Sequence, residues 1–192
     1  GLAFKISAAP FQVWAPDVYQ GAPSPVTAFL AAGPKAAAFA VLLRVFMTAF
    51  APLTGRWLAI MWSLSLLTMI AGNFAALLQT NIKRLLAYSS IAHAGYVLVA
   101  VTAHSEEGVE AAMFYLAVYV FMNIGAFAVV AYFARKGERY VEIEDLAGLG
   151  ERQPVIAALF AVILLSLIGV PPTAGFLGKL YIFKAAIKAD LL

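Results

Sequence analysis

The stretch 154–187 is apolar and long enough to cross a bilayer. Its middle, however, reads Gly169-Val170-Pro171-Pro172-Thr173-Ala174-Gly175-Phe176-Leu177-Gly178 and is followed at once by Lys179. Prolines remove helix hydrogen bonds and glycines loosen the backbone, so a helix breaks here, at Gly169, Pro171, Pro172 and Gly175. Non-helical backbone at membrane depth is tolerated only where protein packs on it or a watery cavity faces it. An ammonium at the bilayer centre costs roughly 3 kcal/mol or more, so it turns toward the protein interior. A broken span carrying a lysine points to ion transport and not to a lipid anchor.

Of the 192 residues, 64% are hydrophobic and 12% charged, whereas about 25% are charged in a soluble domain. Several apolar runs approach or exceed the roughly 20 residues that a spanning helix needs. The expected fold is an all-α, polytopic transmembrane helical bundle forming a single membrane domain over 1–192. It has five full spans, 24–50, 57–79, 84–103, 109–134 and 154–187, and one partial span, 1–14. The opening Gly1-Leu2-Ala3-Phe4-Lys5 reads as the interior of a helix, so the chain is expected to be a piece of a longer polypeptide.

Other function classes drop out. A net charge of +3, with no basic cluster interleaved with aromatics, gives nucleic acid nothing to bind. The absence of cysteine excludes cysteine-ligated iron–sulfur clusters and zinc on this chain. There is no glycine-rich phosphate loop and no His/carboxylate cluster with metal-ligand spacing, so neither a cofactor nor a metal is expected here.

The connections 16–23, 51–56, 80–83, 104–108 and 135–153 alternate sides. One side collects Lys83, Arg84, Arg135, Lys136, Arg139 and Arg152; the other has Arg56, Lys184 and Lys188 with Glu106 and Glu107. By the positive-inside rule the first side, with loop 135–153, is cytoplasmic. Trp14, Tyr19, Trp57, Trp62, Tyr132 and Tyr140 fall where aromatic belts form at the two interfaces.

Within the spans a few groups can carry chemistry. Lys35 lies roughly 15 Å into its span at about 1.5 Å per residue, beyond the reach of snorkelling. A lysine kept from water is a group that can take up and release protons; the plainer reading is a structurally paired lysine. Lys179 has the same logic plus the helix break. His93 is a natural proton carrier, with Ser89 one turn before it on the same face, and is otherwise a hydrogen-bonded core residue. Tyr115, Tyr119 and Asn123 share one helix face and either line a water chain or bond neighbouring helices. Arg44 reads as an interface residue facing headgroups or a neighbouring subunit, Glu110 as a residue opening a helix, and Asp17 as a turn cap. Gly1-x-x-x-Lys5 before Pro10 echoes Gly175-x-x-x-Lys179 after Pro171 and Pro172, the pattern of paired broken helices in inverted-repeat transporters.

Residues 4–30, with Pro10-Phe11-Gln12-Val13-Trp14-Ala15-Pro16-Asp17-Val18-Tyr19-Gln20-Gly21-Ala22-Pro23 at their centre, closely resemble one family. It is the N-type antiporter-like membrane subunit of bacterial respiratory NADH:quinone oxidoreductase, complex I. Gln79-Thr80-Asn81-Ile82-Lys83-Arg84-Leu85-Leu86-Ala87-Tyr88-Ser89-Ser90-Ile91-Ala92-His93-Ala94-Gly95-Tyr96, the Asp145-Leu146-Ala147-Gly148-Leu149 loop and the broken stretch from Gly169 to Lys179 resemble it as well. Gln12 departs from the family, which commonly has histidine there.

The resemblance implies the antiporter-like inverted-repeat fold, with this chain supplying helices seven to twelve of fourteen. It implies proton translocation through Lys5, Lys35, Lys179 and His93, with hydrated half-channels leading to either side. NADH, FMN, iron–sulfur clusters and quinone would belong to other subunits of the translocase, and neighbouring antiporter-like subunits would be partners in the bacterial inner membrane. A related cation/proton antiporter and a non-transporting membrane scaffold stay open as alternatives.

Overall fold

A computed structural model of the chain describes residues 1–134 and 140–191; Arg135, Lys136 and Arg139 of the charge count lie outside the described residues. The described chain is helical. In order, it forms α1 (Leu2–Lys5), α2 (Trp14–Gly21), α3 (Ser24–Arg44), α4 (Thr54–Ala76), α5 (Ile82–Thr102), α6 (Glu106–Ala134), α7 (Leu149–Arg152), α8 (Pro154–Ile168) and α9 (Ala174–Lys188). A π-helical turn, Val45–Ala49, extends α3.

Among the described residues, four helical stretches are long and apolar enough to span a membrane: Ser24–Ala49, Ala51–Ala76, Ile82–Thr102 and Glu106–Ala134. The chain is thus a multi-pass membrane protein. Two expected spans differ. Residues 154–187 form two helices of 15 residues each, each about 22 Å long and too short alone for a hydrocarbon core of about 30 Å. The partial span 1–14 is not helical beyond α1, because Ser7 takes a left-handed φ of 59° and Pro10 has no N–H to give. The helix appears instead at Trp14–Gly21, where a connection was expected.

α5 forms the centre. Its apolar window is 72% buried, whereas that of α4 is 22% buried and turns Ile60, Leu67, Ile70 and Phe74 outward. α4 binds α5 through the Ser65 hydroxyl, which donates to the Gly95 carbonyl at 2.9 Å. α6 packs across α3, α5, α8 and α9 and buries Tyr115, Tyr119, Asn123 and Phe127.

Connections read as lying on one side do meet. The Ile82 N–H donates to the Val141 carbonyl, the Ile143 N–H to the Thr80 carbonyl and the Asn81 amide to Glu142, joining the α4–α5 turn to the segment after α6. Asn81 also caps α5, accepting from the Lys83 and Arg84 N–H groups at 3.1 and 3.2 Å. Arg84 pairs with Asp17 at 2.5 Å, so Asp17 reaches across to another helix instead of capping its own turn. On the other side Thr54 bonds His104, and Lys188 pairs with Glu107. Glu106 and Glu107, not Glu110, occupy the first turn of α6.

Two of the expected interface aromatics are interior. Tyr19 is wholly buried, and Trp57 is nearly so, its indole N–H donating to the Phe50 carbonyl. Each ring has aromatic neighbours inside the bundle, Phe127 for Tyr19 and Phe46 for Trp57.

Candidate functional site

Lys35 is one of the largest fully enclosed side chains, 2% exposed on α3. Pro34 precedes it inside the helix, where it removes one backbone hydrogen bond without ending the element. The ammonium donates to the Ser90 carbonyl at 3.1 Å and to the Ser90 hydroxyl. Its nitrogen also lies 6.0 Å from the ring centre of Tyr19. Ser90 further accepts from the Tyr119 hydroxyl at 2.7 Å. Ser90, not Ser89, is therefore the serine of this site. Ser89 was favoured for its i, i+4 spacing to His93, but it is half-buried and forms none of these bonds. The available sequence signal was that a buried helix face needs an acceptor for a buried ammonium, which the neighbouring serine supplies.

His93, 4% exposed, hydrogen-bonds the Tyr115 hydroxyl through Nδ1. Three tyrosine rings surround it: Tyr115 at 5.8 Å, Tyr119 at 5.3 Å and Tyr96 at 5.9 Å between centres. Lys35, Ser90, His93 and Tyr119 line a cavity of about 10 Å³ closed by Phe39, Val97 and Leu116, near the minimum that holds one water. Asn123 completes the α6 face by donating to the Tyr119 carbonyl at 3.4 Å.

Lys179 is half-buried on α9 and binds the end of α8. Its ammonium donates to the Leu167 carbonyl at 3.0 Å and the Ile168 carbonyl at 2.8 Å. These are carbonyls that a helix leaves unpaired at its C-terminus, where the macrodipole also favours a cation. The break that frees them follows from local sequence. Gly169 takes φ +88°, a conformation that favours glycine, and ends α8. Thr173 then caps α9 by accepting from the Phe176 N–H. Gly175 lets α9 start against α8, since a Cβ there would lie 1.8 Å from the Ser166 carbonyl oxygen. Pro171 and Pro172 lie in the exposed turn between.

Lys35 and Lys179 share one property. Among the described residues no carboxylate pairs with either; the partners are carbonyls, a hydroxyl and rings. The two lysines are joined by a continuous series of polar and ring contacts: Lys35 to Ser90, Ser90 to Tyr119, then His93, then Tyr96, then Lys179. Lys5 stands apart. It is exposed at the end of the single turn α1, and no described hydrogen bond or ion pair joins it to this series.

Residues 1–192 match over their whole length the family described as NADH:quinone oxidoreductase/Mrp antiporter, transmembrane. The chain belongs to that family. Within this antiporter family it is 68% identical, over 192 residues, to NADH-quinone oxidoreductase subunit N 1 of Solibacter usitatus, covering 100% of this chain and 40% of the relative. A chain of respiratory complex I from Thermus thermophilus is 46% identical and superposes with a TM-score of 0.84, covering 98% of this chain and 41% of that one. A chain of the Mrp complex from Dietzia sp. DQ12-45-1b is 26% identical with a TM-score of 0.92, covering 100% and 35%. The chain thus spans about two fifths of the length of the curated relatives it matches.

Proposed function

We propose that the chain is part of a proton-translocating membrane subunit of a bacterial NADH:quinone oxidoreductase, set in the inner membrane with the 135–153 loop cytoplasmic. The observation that carries this reading is the pair of ammonium groups that, among the described residues, are held by neutral acceptors. A lysine locked to a carboxylate has a fixed charge partner. A lysine held by a hydroxyl or by peptide carbonyls can release its proton without leaving a carboxylate buried and uncompensated. The similarity to subunit N of Solibacter usitatus and to complex I of Thermus thermophilus supplies the enzyme and the partner subunits.

In this mechanism Lys35 exchanges its proton with the Ser90–Tyr119 hydroxyl pair and the water-sized cavity beside it. His93, hydrogen-bonded to Tyr115, continues the path toward Lys179. Lys179 passes the proton on at the broken end of α8. Lys5 enters as a third lysine through the resemblance, with the chain's helices as the seventh to twelfth of fourteen. NADH, FMN, iron–sulfur clusters and quinone act on other subunits, and electron transfer there drives the protonation changes here.

A second reading is favoured by the high TM-score to the Mrp complex of Dietzia: a subunit of a related cation/proton antiporter. Purification separates the two, because NADH dehydrogenase activity should travel with a complex I subunit. The mechanism is tested by replacing Lys35 and Lys179, singly, by Ala and by Arg in the intact complex. Each Ala variant should assemble and lose most of its proton yield per NADH. Arg should rescue poorly, since it stays protonated. Wild-type yield from both Arg variants would mean that lysine deprotonation is not part of the cycle.

A further inference from the structure

The Lys179 seat has a third wall. Two of the ammonium's three donors are taken by the Leu167 and Ile168 carbonyls, and the nitrogen lies 4.7 Å above the ring centre of Tyr96. That is well inside the range where an aromatic face attracts a cation. Tyr96 is half-buried on α5, one turn beyond His93, and its ring meets those of His93 and Phe183 edge-on, at 5.9 and 6.4 Å and at 79° and 73°. Its hydroxyl makes no hydrogen bond to another described residue, so what it presents to Lys179 is the ring.

We propose that Tyr96 is the positioning residue of Lys179: its ring face holds the ammonium against the end of α8 and keeps it beside the His93 cluster. The ammonium's third partner must attract a cation without competing for its proton, and an aromatic face does both. A carboxylate in that place would fix the charge, and an aliphatic side chain would leave the ammonium free to turn outward. Because Tyr96 and His93 share one helix face, a shift of α5 moves the ring and the imidazole together relative to Lys179.

The inference rests on the proton-transport reading for its functional effect but not for its geometry, and the test separates them. In the intact complex, position 96 is filled with phenylalanine and then with phenylalanines carrying one, two and three ring fluorines, which weaken the ring's negative face at nearly constant size. The Tyr96→Phe complex sets the baseline, and the proton yield should fall stepwise from it with fluorination, by on the order of tenfold across the series. A flat response would overturn the proposal, since packing alone is insensitive to fluorine. In the second arm, electron cryomicroscopy of the Tyr96→Leu complex should find the Lys179 nitrogen displaced from the Leu167 and Ile168 carbonyls. An unmoved ammonium would overturn the proposal whether or not the complex pumps. Loss of the transport reading would show differently, as an unchanged yield in Lys179→Ala.

Discussion

Lys35 and Tyr119 bind the same oxygen. The Ser90 hydroxyl on α5 accepts from the ammonium on α3 and from the phenol on α6, so three helices meet at one atom. That oxygen uses both of its acceptor sites, and Ser90 also lines the small cavity beside it.

Ser90→Ala should therefore be felt by both neighbours. Lys35 keeps the Ser90 carbonyl, but the Tyr119 hydroxyl loses its acceptor inside the bundle. The expected stability cost is about 1–3 kcal/mol, with proton yield reduced in assembled complexes. Ser89→Ala, one residue away and half-buried, should leave proton yield at the wild-type level. Reconstituted proton uptake per NADH checks both, and equal effects from the two substitutions would contradict the geometry.

Gly175→Ala should block assembly. The added methyl would meet the Ser166 carbonyl oxygen at 1.8 Å, and backbone on both sides leaves neither helix free to yield. A cost above about 3 kcal/mol is expected, beyond the usual range for single substitutions. Gly150→Ala, with open space around it, is the matched control and should be silent. The amount of intact complex in solubilised membranes reads both.

Arg84→Ala should do little despite its short contact with Asp17. The Arg84 side chain is 30% exposed and that of Asp17 72%, and exposed pairs are worth about 0–1 kcal/mol. Thermal stability of the complex should drop slightly if at all, with proton yield intact. A large loss of yield would place this pair in the transport path.

Labelling tests the orientation. A single cysteine at position 106 should react with an impermeant reagent only from the side opposite the cytoplasm, and one at position 145 only from the cytoplasm. The reverse pattern would invert the proposed topology.

The four long spans were legible because lipid forces a strong pattern: a backbone with no water must bond to itself, and long apolar runs follow. Which connections share a side was legible from their alternation between successive spans, and the contacts of Asn81 with Glu142 and of Lys188 with Glu107 agree with it. The start of the chain was not, since the apolar run 1–14 hides a turn set by Ser7 and Pro10. The choice of Ser90 over Ser89 was hidden for another reason. Periodicity says which residues share a face, whereas the partner of an ammonium depends on which face meets α3. Tyr19 was misplaced at an interface because an aromatic residue near a predicted helix end looks the same whether it meets headgroups or Phe127.

The acceptors that hold Lys179 are peptide oxygens, and no codon change at 167 or 168 can delete them. The information for this binding site is therefore written elsewhere: in a glycine that stops one helix, a threonine that starts the next, and a second glycine that lets them touch. A mutational scan of this region should find tolerance at Ile168, whose side chain is exposed while its oxygen holds the ammonium, and intolerance at Gly169 and Gly175, which donate nothing to it. Here the chain encodes a ligand by where it stops being regular.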